Sequence, residues 1–175
     1  LALLVRSSVA SWTLIVDCGS TGNRLYAYRM DGNEVKVLRG GKSRPGLHTM
    51  YQDKNGSAAI DQMAELLRSG ARLVQSSIDP SKILIRCTGG VRDEMLFDEQ
   101  SNMLDDVFIG LQSRGILLQD RNQIDIISGY DEAAYAFNAA NYLERKINYN
   151  LEPVDELVGA LDLGGSSTQI TFEDA

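Results

Sequence analysis

Two related segments, far apart in the sequence, restrict the possible folds of this 175-residue chain more than any other feature. The segments LIVDCGSTGNRLYAY and GALDLGGSSTQITF each contain an apolar run, a terminal aspartate, a loop of glycine and hydroxyl residues, and an alternating strand pattern. Their aspartates, Asp17 and Asp162, lie 145 residues apart, which is close to the length of one complete structural unit. The repeat therefore predicts a protein with two lobes, of which the chain contains the first and the beginning of the second.

Between the two copies, the hydrophobic pattern is typical of an α/β unit. Short apolar runs with turn residues at their ends predict strands at 12–17, 24–30, 34–39, 82–87 and 122–127. Apolar residues at helical spacing predict three helices, which contain residues 60–74, 103–111 and 133–147. Residues 41–56 are rich in turn residues and are expected to form a loop. We expect the first helix to pack on the three-stranded meander that precedes it.

The order of these elements predicts three parts of the chain. They are an N-terminal segment at 1–11, a first lobe at 12–150, and the truncated start of a second lobe at 151–175. Because the final strands lack the sheet and helices that would bury them, we expect the chain to belong to a longer protein. The isolated 175-residue stretch is expected to be inactive.

Charge and hydropathy disfavour two classes of partner. Lys and Arg number 17 against 24 for Asp and Glu, so the net charge is -7, whereas nucleic-acid binding requires a basic surplus. No run approaches the roughly 18 apolar residues of a transmembrane helix. We therefore expect no nucleic-acid partner, and membrane attachment only through an anchor outside the chain or at its LALLV start. The sequence predicts no oligomeric state.

The repeated loops have a direct chemical use. Glycines allow successive backbone N–H groups to turn toward one anion, and the hydroxyls of Ser20, Thr21, Ser166 and Ser167 add further donors for phosphate oxygens. An aspartate at the carboxyl end of each strand can hold a divalent cation, directly or through water. One such loop alone is also compatible with an ordinary hairpin. Two copies at this spacing predict phosphate loops that face each other across a cleft.

Carboxylates also stand where an apolar strand gives way to a helix, in Ser128-Gly129-Tyr130-Asp131-Glu132. One interpretation is that Asp131 or Glu132 stabilises the first helical turn through the helix dipole. The other is that a carboxylate here is a general base for a water that attacks a phosphate. A third glycine loop, at Thr88 to Gly90, is less specific and fits a simple connection between a strand and a helix.

The cysteines and the single histidine do not form a metal-ligand pattern. Cys18 and Cys87 are too few for a disulfide framework and are expected to be buried free thiols, although thiols beside phosphate loops could make a site oxidisable. His48 has no second His or Cys at ligand spacing, so we expect it at the surface.

Four ordered segments resemble the nucleoside triphosphate diphosphohydrolases, or apyrases, a family that includes secreted and Golgi nucleoside diphosphatases. The segments are VDCGSTGNRLYAY, IRCTGGVR, IISGYDEAAYAFNAANYL and ALDLGGSSTQITF, and SRPGLHTM is similar to an element of the soluble branch. The resemblance implies an α/β, actin-like ATPase fold of ribonuclease-H-like lobes, each with a mixed sheet flanked by helices. It also implies hydrolysis of terminal phosphates from nucleoside tri- or diphosphates by an activated water, with Ca²⁺ or Mg²⁺ as cofactor.

The resemblance also assigns roles to individual residues. Glu132 matches the catalytic base and Ser167 the serine that positions the attacking water, whereas Asp17 and Asp162 match the metal-holding carboxylates, assisted by Thr88 and Gln169. Phosphate-contacting positions are matched by Ser20, Thr21, Gly22, Gly89, Gly165 and Ser166. Arg24 matches an arginine of the soluble branch, as a phosphate contact or as a structural partner of nearby carboxylates.

Three further expectations follow from the resemblance. The protein is expected in the secretory pathway, in the Golgi or endoplasmic reticulum lumen, or outside the cell, either free or anchored to a membrane. Polyphosphate phosphatases and sugar kinases share actin-like lobes, but the segment IISGYDEAAYAFNAANYL argues against both. A nucleotide-binding module without turnover is the remaining alternative.

Overall fold

The computed structural model describes residues 11–173, which form one five-stranded sheet, one two-stranded sheet and five helices. The strands are β1 (Thr13–Gly19), β2 (Gly22–Asp31), β3 (Glu34–Ser43), β4 (Ile83–Cys87), β5 (Ile124–Ile126), β6 (Ala160–Leu163) and β7 (Thr168–Thr171). The helices are α1 (Leu47–Gln52), α2 (Gly56–Val74), α3 (Gly89–Arg92), α4 (Phe97–Ser113) and α5 (Gly129–Leu143). Short 3-10 turns at Pro80–Lys82 and Arg121–Gln123 lead into β4 and β5.

The five-stranded sheet is mixed, and its order is β3-β2-β1-β4-β5. Strands β1, β2 and β3 pair antiparallel as a meander, while β1, β4 and β5 run parallel to one another. Carboxyl ends of parallel strands meet at the same edge of a sheet. The residues that follow β1, β4 and β5 are therefore brought together, although they are far apart in the sequence.

The main core lies between this sheet and helices α2 and α4. Alternate residues of β1 and β4 point into it, including Leu14, Val16 and Ile85, each at most 1% exposed. Helix α2 adds Met63 and Leu67 from its apolar stripe and packs on β2 and β3, as the sequence predicted. The helix ends at Gln75, whose φ of 51° leaves the helical region.

Two boundaries differ from the sequence predictions. Residues 41–56, predicted as a loop, contain the last residues of β3 and the short helix α1. Helix α1 forms because Leu47 and Met50, one turn apart, both pack into the core. The third predicted helix ends at Leu143 rather than continuing to residue 147, and Ile147 instead forms a β-bridge with Pro153.

Strands β6 and β7 form a hairpin that is separate from the five-stranded sheet and packs beside α5. Asp162 and Gln169 are directly opposite each other in this hairpin. It stands where the repeat predicted the start of a second lobe, and the predicted lobe boundaries stay predictions. Most of the predicted N-terminal segment, including the possible anchor, lies outside the described residues. Within 11–173, no helix has the length and apolar character needed to cross a membrane.

Candidate functional site

A cavity of about 320 Å³ lies at the carboxyl ends of β1 and β4, between the five-stranded sheet and the β6–β7 hairpin. The loops after β1, β4 and β6 and the first turn of α5 surround it. Its lining residues are Asp17, Gly19, Ser20, Thr21, Arg24, Thr88, Gly89, Gly90, Glu132, Asp162, Leu163, Gly164, Gly165, Ser166 and Ser167. The two copies of the repeated loop thus face each other across a cleft, as the sequence predicted.

Most of the residues that the family resemblance singled out line this cavity. They are Asp17, Ser20, Thr21, Thr88, Gly89, Glu132, Asp162, Gly165, Ser166 and Ser167. Gly22 and Gln169 are not among the lining residues. Gly22 is buried in the turn between β1 and β2, where a side chain would overlap the carbonyl oxygen of Ser43, so the structure places it behind the predicted phosphate contacts.

Close approach of the loops explains why glycine occupies positions 89 and 165. A Cβ atom at Gly165 would overlap Ser20 Oγ, and one at Gly89 would lie 2.9 Å from Ser167 Oγ. Real Cβ atoms essentially never come this close to other heavy atoms. Each glycine therefore permits a contact between a loop of the sheet and the loop of the hairpin.

Two carboxylates, Asp17 from β1 and Asp162 from the hairpin, line the cavity together with Arg24. Arg24 Nη1 donates a hydrogen bond to Asp17 Oδ2 at 3.1 Å, and both side chains are more than a third exposed. Burial raises the pKa of the Asp17 carboxyl, the Arg24 guanidinium opposes this shift, and the negative charge of Asp162 adds to it. A bound cation would relieve the repulsion between the two carboxylates.

The two acidic residues at the start of α5 have different positions. Ser128 Oγ accepts a hydrogen bond from the Asp131 N–H at 3.1 Å and lies 2.7 Å from Asp131 Oδ2. Asp131 therefore belongs to the helix cap. Glu132 lines the cavity, and only 14% of its side chain is exposed. The helix-start interpretation thus applies to Asp131, and the general-base interpretation of Glu132 stays a prediction.

Gln169 connects Glu132 to Ser167. Its Nε2 donates to Glu132 Oε2 at 3.3 Å and to Ser167 Oγ at 3.0 Å. Its Oε1 is buried and has no hydrogen-bond partner among the residues that the structure describes. An unpaired buried acceptor is unfavourable, so this oxygen is suited to receive a bond from water or to contact a cation.

Arg92 is a site residue that the sequence analysis did not single out. Its Nη1 donates to Glu132 Oε2 at 3.1 Å and to the Ile127 carbonyl at 2.9 Å, and its Nε donates to Asp93 Oδ1 at 3.2 Å. These bonds connect the end of α3 to Ile127, which directly follows β5, and to Glu132 in α5. The signal was present in the segment IRCTGGVR, which ends with this arginine.

The expectation that His48 lies at the surface is wrong. The side chain is 4% exposed, because α1 turns it inward behind the loop after β4, where a Cβ atom at Gly90 would be 2.8 Å from His48 Cε1. His48 Nε2 lies 3.4 Å from Glu94 Oε2, and Glu94 Oε1 accepts a hydrogen bond from Ser166 Oγ at 2.5 Å. His48 and Glu94 thus join the loop after β4 to the loop of the hairpin.

The two cysteines are buried free thiols, as predicted. Cys18 and Cys87 are direct neighbours in the parallel pair of β1 and β4. Each cysteine immediately precedes a loop that lines the cavity. A hydrogen bond with Cys87, together with burial, holds the pKa of the Cys18 thiol well above its usual range. Both side chains point into the core rather than into the cavity.

Comparison with known proteins shows that this chain is similar to a family of phosphatases. A model of the GDA1/CD39 (nucleoside phosphatase) family matches residues 4–175. Ectonucleoside triphosphate diphosphohydrolase 7 of Homo sapiens is 28% identical over 190 residues, which cover 93% of this chain and 31% of that protein. Apyrase 1 of Arabidopsis thaliana is 27% identical over 171 residues, which cover 93% of this chain and 35% of that protein. The chain thus spans about a third of the length of these relatives.

Solved structures with low sequence identity share the fold. The crystal structure of nucleoside triphosphate hydrolases from Neospora caninum has a TM-score of 0.63 and 18% identity, covering 94% of this chain and 39% of that one. The Aquifex aeolicus PPX-GPPA enzyme has a TM-score of 0.59 and 17% identity, and the match covers 90% of this chain and 46% of that one. At this level of identity the likeness shows the fold alone, and it confirms the predicted actin-like lobe.

Proposed function

The chain belongs to the GDA1/CD39 (nucleoside phosphatase) family, and on that premise we propose that its cavity binds nucleoside tri- or diphosphates and hydrolyses their terminal phosphate with an activated water. One observation carries this proposal above the others. Gln169 hydrogen-bonds both Glu132 and Ser167, so a carboxylate base and a hydroxyl are held together between two facing glycine loops. A carboxylate and a hydroxyl held in this way can orient a water for attack on a phosphate.

Glu132 is the general base of the proposed reaction. Arg92 and Gln169 both donate to its Oε2, which holds the carboxylate in one orientation. An ionised carboxylate within reach of a water accepts the proton that the water loses during attack. Ser167 Oγ accepts a bond from Gln169, so its own hydroxyl hydrogen is available to orient that water or a phosphate oxygen.

The facing loops hold the phosphates. Ser20 and Thr21 lie on one side, Ser166 lies on the other, and Gly89 and Gly165 let the backbones approach. Backbone N–H groups and hydroxyls arranged in this way stabilise the negative charge that spreads over the phosphoryl oxygens. Ser166 donates its hydroxyl hydrogen to Glu94 in the structure, so a bound phosphate would compete with Glu94 for that bond.

A divalent cation, Ca²⁺ or Mg²⁺, is part of the proposal, and the residues present fit one. Asp17, Asp162 and Thr88 line the cavity, where the two carboxylates supply negative charge. The Oε1 of Gln169, which neighbours Glu132 and Ser167, is a buried acceptor without a partner among the described residues. Within residues 11–173, no three His, Cys, Asp or Glu side chains converge, so water and phosphate oxygens would complete the coordination, as is usual for Mg²⁺. When bound, the cation neutralises phosphate charge.

Two other aspects of the function are inferred from the family. We expect the protein in the secretory pathway or outside the cell, and the prefix "Ecto" in the name of the Homo sapiens relative agrees with a position outside the cell. We also expect turnover to need the second lobe, because about a third of the length of the relatives is represented here. An actin-like module that binds nucleotide without turnover, or a polyphosphate phosphatase, would be the alternative.

Phosphate release by the full-length protein tests the proposal. The substrates are nucleoside tri- and diphosphates and linear polyphosphate, each assayed with Ca²⁺, with Mg²⁺ and with chelator. Replacement of the base by Glu132→Ala is expected to lower kcat by about 10²- to 10⁴-fold, with nucleotide affinity within a few fold of the wild type. The matched control is Asp131→Asn, which alters the adjacent carboxylate outside the cavity and is expected to keep most of the activity.

Each outcome of this experiment has a clear meaning. Metal-dependent release that Glu132→Ala abolishes supports the proposal and identifies the preferred substrate. Undiminished turnover in Glu132→Ala would refute the role of Glu132. Nucleotide binding without any phosphate release would favour the binding module, and release from polyphosphate alone would favour the polyphosphate phosphatase.

A further inference from the structure

A second hollow, of about 230 Å³, lies beside the cavity on the sheet formed by β2 and β3. It is lined by Arg24, Leu25, Tyr26, Arg39, Gly40, Gly41 and Lys42. Arg24 lines both the cavity and this hollow, so the two spaces share one residue. A liquid water takes about 30 Å³, and the hollow therefore has room for a group of the size of phosphate.

A β-bulge brings the cationic side chains of the hollow together. Lys42 is opposite Arg24 and Arg39 is opposite Tyr26, so two residues of β3, Gly40 and Gly41, stand opposite the single residue Leu25. In a regular strand, positions 39 and 42 would point to opposite faces. The extra residue places both side chains on the face that carries Arg24 and Tyr26.

The bulge is held by packing as well as by pairing. A Cβ atom at Gly40 would lie 2.8 Å from Leu25 Cδ2, and one at Gly41 would lie 3.1 Å from Leu66 Cδ1. Leu25 and Leu66 belong to the core. The two glycines let β3 lie directly against the core while the bulge redirects Arg39 and Lys42.

Of the three cations that line the hollow, Arg24 is paired with Asp17, whereas Arg39 and Lys42 have no carboxylate partner among the described residues. Across the part of the chain that the structure describes, no carboxylate is within 4.0 Å of Arg39, Lys42 or Arg44. The charge of Arg44 lowers the pKa of Lys42, and desolvation and the charge of Arg24 lower it further. This concentration of cations stands out in a chain whose net charge is -7.

Protection of the sheet edge explains only part of this arrangement. Strand β3 is an edge strand, and charged side chains on edge strands prevent pairing with other molecules. Lys36 on the same strand fits that explanation, because its ammonium pairs with Asp31 at 2.6 Å. Edge protection does not require a bulge that gathers Arg39 and Lys42 beside Arg24.

We propose that this hollow is a second anion-binding subsite that takes phosphoryl groups of a linear inorganic polyphosphate, and that Arg24 makes it continuous with the cavity. A single phosphate has its charge in one place, whereas a polyphosphate chain has charges spaced along it and contacts both sites at once. Several simultaneous charge contacts raise affinity more than any one of them does. The proposal concerns binding and does not depend on hydrolysis of the bound chain.

Calorimetric titration of the full-length protein with tripolyphosphate tests the proposal, in chelator so that metal-dependent turnover does not occur. The double variant Arg39→Gln, Lys42→Gln is expected to bind tripolyphosphate about tenfold more weakly, because two partly screened charge contacts are lost. The charge-preserving variant Arg39→Lys, Lys42→Arg is expected to stay within about threefold of the wild type. The control Lys36→Gln removes a charge of the same strand outside the hollow and is expected to have no effect beyond about twofold.

Orthophosphate and sulfate complete the design. The proposal predicts that affinity rises from orthophosphate to pyrophosphate to tripolyphosphate in the wild type, and that this rise is reduced in the double variant. Equal tripolyphosphate affinity in the wild type and in a folded double variant would overturn it, as would equal binding of sulfate and tripolyphosphate. Nucleotide hydrolysis is measured in parallel, so loss of turnover with intact tripolyphosphate binding counts only against the proposed function.

Discussion

Replacement of Gly165 by alanine tests the close approach of the two repeated loops. In the structure, a Cβ atom at this position would overlap Ser20 Oγ, while the next nearest atoms, Thr21 Cγ2 and Ser20 Cβ, would lie at 3.4 and 3.5 Å. Those two distances are ordinary van der Waals contacts. The hydroxyl of Ser20 is therefore the single obstacle to a methyl group at Gly165.

The size of the loss in kcat/KM depends on how the loops relieve this overlap. If Ser20 rotates away, the cavity loses one hydroxyl donor to a charged phosphate, which lowers kcat/KM by about tenfold to a hundredfold. If the loops separate instead, a displacement of about 1 Å lowers the rate by roughly a hundredfold. We therefore expect Gly165→Ala to lower kcat/KM by at least about tenfold.

The assay is phosphate release by the full-length protein, with thermal unfolding as a check of folding. The double variant Gly165→Ala, Ser20→Ala has space for the new methyl group, so it is expected to be no worse than Ser20→Ala alone. Gly129→Ala is the matched control at the edge of the site, because its Cβ atom would meet nothing closer than 3.9 Å and activity should stay within about twofold.

An unchanged kcat/KM in Gly165→Ala would refute the reasoning, because the loops could then not be in contact during the reaction. The reasoning would also be contradicted if the loss of kcat/KM in the double variant equalled the product of the losses in Gly165→Ala and Ser20→Ala. Residues in direct contact are expected to show non-additive effects, whereas independent residues are not.

Two further predictions concern ionisable groups near the site. Because burial raises the pKa of Asp17 above 3.8, its ionisation disfavours folding as the pH rises through that value. The Tm of Asp17→Asn should therefore rise relative to that of the wild type between pH 3 and pH 7, measured by calorimetry in chelator. A Tm difference that does not change with pH would contradict this prediction. Because the hydrogen bond with Cys87 and burial raise the pKa of Cys18, its thiol should react with iodoacetamide at neutral pH at least about a hundredfold more slowly in the folded protein than in urea. Mass spectrometry measures both rates, and rapid labelling of the folded protein would disprove the buried position.

Much of the site was predictable because it follows from local patterns that repeat. An apolar run that ends in an aspartate and a glycine loop predicts a strand and a phosphate loop wherever it occurs, and its second copy predicted the facing loop. The strand before Ser128 and the helix after it likewise placed Glu132 at a helix start. These predictions use only the chemistry of neighbouring residues and their spacing.

The family resemblance singled out most of the residues that line the cavity, but not the contacts among them. The bonds of Arg92 and Gln169 to Glu132 join groups that are 40 and 37 residues apart in the sequence. No local pattern encodes such a distance. They arise because β1, β4 and β5 are parallel and because the hairpin lies beside α5.

The misplaced elements have the same explanation. Turn residues at 41–56 predicted a loop, but the segment contains the end of β3 and the whole of α1. They did not reveal that Leu47 and Met50 would find a core surface to pack on, which is what forms α1 and buries His48. Nor does the dipeptide Gly40-Gly41 reveal a bulge until its partner strand is known. The sequence by itself determined the repeated loops, the order of elements and the family, because these depend on short-range spacing. The folded chain decided burial, register and contacts across the cleft, because these depend on which surfaces meet after folding.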